Sequence, residues 1–108
     1  MNAHPLCRQT VTIYSAAPEG AARRVITGCF YHWQRVSTPD GLEDTKFLLI
    51  LPAGEQIAIG DRVYDGIGPE QVCWEQFLPV NTPGLGQVAY VTGYYAAGRL
   101  HHTEAGRK

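Results

Sequence analysis

The chain has few cysteines, and those it has are not arranged for cross-linking or for zinc. Three occur in 108 residues, at Cys7, Cys29 and Cys73, and no CxxC pair is present. An odd count at such wide spacing argues against a disulfide framework and against a zinc finger. We therefore expect incidental or buried free thiols in a reducing compartment.

Long apolar runs are also lacking. The longest is "FLLIL", five residues, which is far too short to cross a bilayer. The beginning, "MNAHPLCRQT", has neither the basic start nor the apolar stretch of a signal peptide. These features predict a soluble protein made in a cytoplasm, with no membrane partner.

The sequence also lacks an excess of either positive or negative charge. Nine basic residues face ten acidic ones, for a net charge of -1 at pH 7. Such a balance gives no positive field to hold a polyphosphate, so direct nucleic-acid binding is not expected. The hydrophobic share of 44% and the charged share of 18% are typical of a globular domain. We expect one domain over 1–108, with flexible ends at 1–8 and 105–108.

What the sequence does contain is strand-like alternation between turns. "QTVTIYS" places Val11 and Ile13 on one face, with β-branched residues throughout. "RRVITGCFYHW" is a second strand in which Val25 is expected to share a face with Cys29. Gly28, in its middle, predicts a bulge or a close backbone approach. "KFLLILP" is apolar on both faces and is expected to be a buried strand.

The rest of the chain adds shorter elements. "AGEQIAIGDRVYDGIG" predicts two short strands around Gly60-Asp61, and "QVAYVTGYY" and "RLHHTEA" predict one strand each. "GPEQVCWEQFLP" resists a strand assignment and predicts a short helix or 3₁₀ turn that begins at Pro69. Six or seven short strands with at most one short helix indicate a mainly β fold, a small antiparallel β-barrel or sandwich.

The adjacent histidines near the end are the first candidates for chemistry. On a strand, His101 and His102 point to opposite faces, whereas His102 and Glu104 share one. A zinc site needs three or four ligands, and the other donors have no diagnostic spacing. Neither a G-x-S-x-G motif nor a phosphate-binding loop occurs. We predict no catalytic, metal or cofactor residues, although a Cys29–histidine pair formed by folding stays open.

The aromatic residues point to contact rather than catalysis. They outnumber what a small core needs, and Tyr and Trp are favoured at protein contact surfaces. Tyr94 and Tyr95 are consecutive, so one should face outward, beside Arg99. Loop 37–45 and the segment from Arg99 are the expected contact elements. The candidate interface residues are Asp40, Gly41, Tyr94, Tyr95, Arg99 and His102.

A series of phrases in this order resembles a known family. They are "VTIY", "RRVITGCFYHW", "LLILP", "GDRVYDGIGPE", "PGLGQVAYVTGYY" and "GRLHHTEAGRK". They resemble small minor capsid proteins encoded among the head and tail genes of phages and prophages of Gram-positive bacteria. The resemblance runs from Thr10 to Lys108. Its most specific part is the ending: His102, Glu104, Ala105 and Gly106, after Tyr95 and Gly98.

The resemblance implies a virion structural protein and not an enzyme. Such a protein would join or complete head and tail, would be made in the host cytoplasm and would reside in the virion. Its partners would be portal, head-completion or tail proteins, and copies of itself in a ring, with no cofactor. An alternative from the residues themselves stays open: a small β-barrel that binds an oligonucleotide or a small ligand in a housekeeping role.

Overall fold

The protein is a single curled β-sheet. The computed structural model describes residues 8–18, 20–37, 39–41, 43–96 and 98–107, and none of these lies in a helix. The seven strands are β1 (Gln9–Ala17), β2 (Gly20–Ser37), β3 (Glu43–Pro52), β4 (Arg62–Asp65), β5 (Leu85–Gln87), β6 (Tyr90–Ala96) and β7 (Arg99–Arg107). Their order is β5-β4-β1-β2-β3-β7-β6, antiparallel throughout, and the sheet forms a half-barrel. The predicted mainly β, antiparallel class is confirmed.

The core lies on the concave side of this sheet. Alternate positions of β3, Phe47, Leu49 and Leu51, point inward and are almost completely buried. They meet inward side chains from the rest of the sheet and from the segment between β5 and β6, namely Val11, Ile13, Ile26, Cys29, Tyr31, Val63, Val88 and Ala105. Period-two alternation therefore predicted the inward face of β1, with Val11 and Ile13, because successive side chains of a strand alternate between faces.

Gly28 carries the predicted bulge in β2. Its φ is +72°, and the pairing between β1 and β2 gains one residue between Gln9 opposite Cys29 and Val11 opposite Ile26. The extra residue reverses the alternation, so Ile26 and Cys29 both point inward. Val25, expected to share a face with Cys29, is instead 40% exposed. The bulge was predicted correctly, and the face assigned to Val25 was wrong.

The segment "QVAYVTGYY", predicted as one strand, contains the end of β5 and most of β6, which lie at opposite edges of the sheet. β5 pairs with β4, and β6 pairs with β7. Between them, the N–H of Val88 donates to Asp61 O at 2.8 Å, and the N–H of Ala89 donates to Gly106 O at 2.8 Å. The chain thus leaves one edge at Val88 and joins the other at Ala89.

Three further expectations differ from the structure. Residues 55–58 form no strand, because the chain there runs as an irregular loop into the turn at Gly60. Where a short helix or a 3₁₀ turn was predicted from Pro69, the structure has a single turn that begins later, in which Gln76 and Phe77 both donate to Cys73 O. Residues 105–107, expected to be a flexible end, lie in β7, where Ala105 is fully buried because it packs in the core. Residues 1–7 lie outside the described residues.

β4 and β5 lie across the core from β2 and β3. A Cβ added at Gly86 would come within 2.5 Å of Phe47 Cε1, so β5 approaches β3 very closely. The Tyr31 hydroxyl donates across the core to Gly84 O at 3.1 Å. Burial raises the pKa of this hydroxyl. The curl of the sheet is therefore stabilised by contacts through its concave side.

Residues 66–84 cross the outside of β1 and β4, and we call them the strap. The Tyr14 hydroxyl donates to Pro69 O at 2.6 Å, and Thr12 Oγ1 donates to Gly66 O at 2.8 Å and accepts from the Gly68 N–H at 2.9 Å. Tyr14 also packs edge-on against Phe77, with ring centroids 4.7 Å apart. Thr12 and Tyr14 are completely buried as a result.

Arg62 anchors the second half of the strap. Its guanidinium donates to the carbonyl oxygens of Trp74 and Phe77 and lies 3.7 Å from the centre of the Trp74 ring. Burial lowers the pKa of Arg62, since a cation is costly away from water. Carbonyl dipoles and a π face surround this buried cation.

Candidate interaction surface

The outer side of β2, β3, β7 and β6 contrasts with the outer side under the strap. Its side chains come from even-numbered positions, which alternate with the inward core positions. We call it the open face: Phe30, His32, Gln34, Lys46, Leu48, Ile50, Pro52, Tyr90, Tyr94, His102 and Glu104. All of these side chains are half-buried or exposed. The middle rows, Phe30–Ile50–Glu104 and His32–Leu48, mix apolar and polar side chains.

The β6–β7 part of the open face is ordered by paired side chains. Tyr90 lies directly opposite Gly106, and a Cβ added at Gly106 would come within 3.1 Å of the Tyr90 ring. The Tyr90 hydroxyl then donates to Glu104 Oε2 at 3.0 Å. Burial, together with this bond to a carboxylate, raises the pKa of Tyr90 to about 12. A glycine opposite an aromatic residue allows the ring to lie flat on the sheet.

A second pair continues the same surface. The rings of Tyr94 and His102 stack with centroids 4.8 Å apart and planes 14° apart. Tyr94 is 43% exposed and Tyr95 70% exposed, so both consecutive tyrosines are accessible, where alternation predicted one. The register shift beside them lies in β7, which advances from His102 to Leu100 while β6 advances by one residue. Tyr95 therefore still alternates with Tyr94 and is accessible on the other side of this edge strand.

A shallow open pocket of about 220 Å³ lies at the other margin of the open face. His32, Gln34, Lys46, Leu48 and Arg107 line it, together with Phe47. Two of these residues carry a positive charge at pH 7 and none is acidic. The described lining of this pocket, which we call the basic pocket, therefore carries two cations beside Leu48 and Ile50. Asp44, two residues before Lys46 in β3, has its side chain outside the described residues.

The six predicted interface residues do not form one patch. Tyr94, Tyr95 and His102 lie near the Pro52 end of β3, since His102 pairs with Pro52. Asp40 and Gly41 form an exposed turn beyond the Glu43 end of the same strand. The two ends are about 30 Å apart at about 3.3 Å per residue. Arg99 is in β7 opposite Ala96, and its side chain, like that of His101, lies outside the described residues.

Sequence reasoning did not find the middle of this surface. "FLLIL" was interpreted as buried on both faces, yet Leu48 and Ile50 are half-buried on the outside. The available signal was Lys46, which shares their face and is exposed. His32 and Arg107, which line the basic pocket, carried no motif at all.

The cysteines and possible metal ligands are the remaining candidates for chemistry. The Cys29 thiol is buried and donates to Gln9 O at 3.2 Å, while Cys73 is exposed on the strap. No group of three or more His, Cys, Asp or Glu side chains that could hold a metal ion occurs in the described part of the chain. Cys7 lies outside that part.

The chain matches no protein-family model, no curated protein and no solved structure. Within the described ranges, no helix is long and apolar enough to cross a membrane.

Proposed function

We propose that this chain is a structural protein of a phage or prophage virion, a minor capsid or head–tail joining component that acts through protein–protein contacts. Its partners are portal, head-completion or tail proteins and further copies of itself. The observation that carries the proposal is the open face. An outer sheet surface with Phe30, Ile50, Tyr90 and Tyr94 has the composition of the centre of a protein interface.

Three residues from the most specific part of the resemblance help to build this surface. In the ending, His102 stacks on Tyr94, Glu104 accepts from Tyr90, and Gly106 leaves room for the Tyr90 ring. Ala105 lies in the core on the other side of β7. A sequence pattern that shapes an outer β face supports a role in contact between proteins.

Disruption of the gene in the phage that encodes it tests the role directly. We expect infectious particles to be lost and electron micrographs to show separate or incomplete heads and tails. Mass spectrometry of purified wild-type particles should detect the chain in fixed proportion to the major capsid protein. Normal yields of infectious particles from the disrupted phage would refute the proposal.

Surface variants connect the role to the open face. Tyr94, on the open face, is 43% exposed, and Ile59, in a turn away from this face, is 69% exposed, so both are accessible large side chains. We expect Tyr94→Ser to reduce incorporation into particles, while Ile59→Ser leaves it unchanged. Both variants should melt near the wild-type temperature, because exposed side chains contribute little to stability. Equal incorporation of the two variants would contradict the assignment of the surface.

The same face favours the second candidate, a binding module for single-stranded nucleic acid. Aromatic side chains beside Lys46 and Arg107 are the components of a stacking platform with a cationic margin. The overall charge of -1 opposes it. A gel shift with single-stranded DNA at two salt concentrations separates the candidates: tight, salt-dependent binding would favour the binding module, and its absence the virion role.

A further inference from the structure

The outer side of β6 is an open edge of the sheet. β6 is the last strand in the sheet order, and among the described residues it pairs with β7 alone. Its residues 91–95 are all exposed, although they alternate between the two faces. In an antiparallel edge strand, every second residue points both its N–H and its C=O away from the neighbouring strand. β6 therefore presents a row of main-chain donors and acceptors that another strand can pair with.

This edge lacks the features that commonly protect an edge strand, which are short length, charge, proline and bulges. β6 is seven residues long, "YVTGYYA", and no charged residue occurs between Glu75 and Arg99. The register shift near Tyr94 comes from an extra residue in β7, so β6 itself continues regularly. The opposite edge is different, because β5 has only three residues and Leu85 and Gly86 are buried.

We propose that β6 of one copy pairs with β6 of a second copy, antiparallel and around a two-fold axis at Gly93. The pairing rests on the proposed function for the role of self-association and specifies which surfaces meet. Val91 then lies opposite Tyr95 of the other copy, and Thr92 lies opposite Tyr94. The two half-barrels form one continuous sheet, and the two open faces become a single larger surface for other partners.

The side chains of β6 favour this register. Both kinds of pair, Val91 with Tyr95 and Thr92 with Tyr94, join a β-branched residue to an aromatic one, a combination that stabilises antiparallel strands. The members of each pair lie on the same side of the sheet, because they are separated by an even number of positions from the central residue. Gly93, at the axis, has no side chain to hinder a second backbone.

Other arrangements are less favourable for the same strand. A register centred on Thr92 would set Tyr90 against Tyr94 and Val91 against Gly93, which leaves Val91 without a side chain opposite it. A head-to-tail pairing would need the β5 edge, which is shorter and buried. Because β6 has no charge, two copies of it meet without the repulsion that like charges on opposed strands cause.

Opposite charges placed at Gly93 test whether β6 meets its own copy. Sedimentation in reductant from about 10 μM to about 500 μM should show wild-type dimers and nothing larger, with little dependence on salt. Gly93→Lys and Gly93→Glu should each weaken dimerisation at least about tenfold, since two like charges then lie directly opposite each other. An equimolar mixture of the two should dimerise again. Ile67→Lys adds the same charge at an exposed position of the strap and should dimerise like the wild type.

Three results would overturn the pairing: charged variants that dimerise like the wild type, a mixture that stays monomeric, or a wild type that is monomeric throughout the range. The last result would leave the edge to a strand of another protein. Thermal melts of each variant separate loss of pairing from loss of the fold. If a charged variant does not fold, the cross-link at the same position decides.

A disulfide across the two-fold axis measures the register independently. In a background with Cys7→Ser and Cys73→Ser, Gly93→Cys places two thiols directly opposite, within the Cα separation that a disulfide requires. Val91→Cys is the matched control, because its two copies lie four residues apart along the strands, about 13 Å. Mild oxidation should form covalent dimers of Gly93→Cys at least about tenfold faster than those of Val91→Cys. Equal rates, or products larger than dimers, would overturn this register.

The outcomes for the pairing and for the proposed function are separable. A chain that fails to dimerise could still serve the virion through other partners, which the gene disruption would reveal. Normal yields of infectious particles from the disrupted phage would refute the virion role and leave the β6 pairing standing.

Discussion

Replacing Gly86 with alanine tests whether the sheet closes over its core as described. The backbone at Gly86 is extended in β5, so alanine meets no conformational strain there. The new methyl group would overlap the Phe47 ring, and it would come within 2.5 Å of Cε1 and 3.1 Å of Cγ. Phe47 is 5% exposed and packed in the core, so its ring cannot move away without displacing neighbours.

The expected loss of stability follows from two opposing effects. Overpacking of a well-packed core costs about 1–3 kcal/mol, whereas a Gly→Ala change recovers about 0.4–1 kcal/mol through the unfolded chain. The net destabilisation should be about 1–2 kcal/mol. For a chain of this size, each kcal/mol lowers the melting temperature by about 4–8 °C.

A double-mutant cycle with Phe47→Leu isolates the contact. Urea denaturation of Gly86→Ala, Phe47→Leu and the combined variant gives the coupling free energy. The smaller Leu side chain should make room for the methyl group, so the combined variant should be more stable than the sum of the single losses predicts, by about 1 kcal/mol. Additive losses would refute the close approach of β5 to β3.

Three further changes probe the strap and the open face. Arg62→Met removes charged hydrogen bonds to two strap carbonyls and should cost about 1.5–3 kcal/mol in urea denaturation, followed by Trp fluorescence; an unchanged midpoint would mean that the strap does not depend on this cation. Tyr14→Phe removes the bond to Pro69 O and should cost about 1 kcal/mol in the same assay. The pKa of Tyr90 is about 12 in the fold, against an ordinary value near 10, so the folded state holds the phenol proton more tightly than the unfolded state. The resulting stability is fully present below about pH 10 and is lost as the pH rises toward 12. Urea midpoints measured across this range should fall, and Tyr90→Phe should reduce the fall; an identical decline in the variant would contradict the role of the Tyr90–Glu104 bond.

The sequence predicted those parts of the fold that depend on local alternation. The inward residues of β1, Val11 and Ile13, were identified because a strand with one buried face has period two. Gly28 also marked its bulge. What the bulge does to Val25 could not be predicted, because the phase of the alternation beyond it depends on which residue of β1 pairs with Ile26.

The predictions that were wrong concern features set by contacts between residues distant in sequence. β5 and β6 were predicted as one strand, because nothing in the local sequence shows that the amides of Val88 and Ala89 bond to different edges of the sheet. The strap has no periodicity, and its place is set by Tyr14 and Arg62 from other segments. The open face could not be predicted for a similar reason. An apolar residue such as Ile50 is equally compatible with burial in its own core and with burial against a partner.

The junction at Val88 and Ala89 also determines how cooperatively the domain unfolds. One short peptide stretch holds the β4 side through Asp61 and the β7 side through Gly106, so neither half can peel away without loosening the other. Deuterium should therefore enter these two amides only when the whole domain opens, and the protein should melt in a single step rather than as two separable halves.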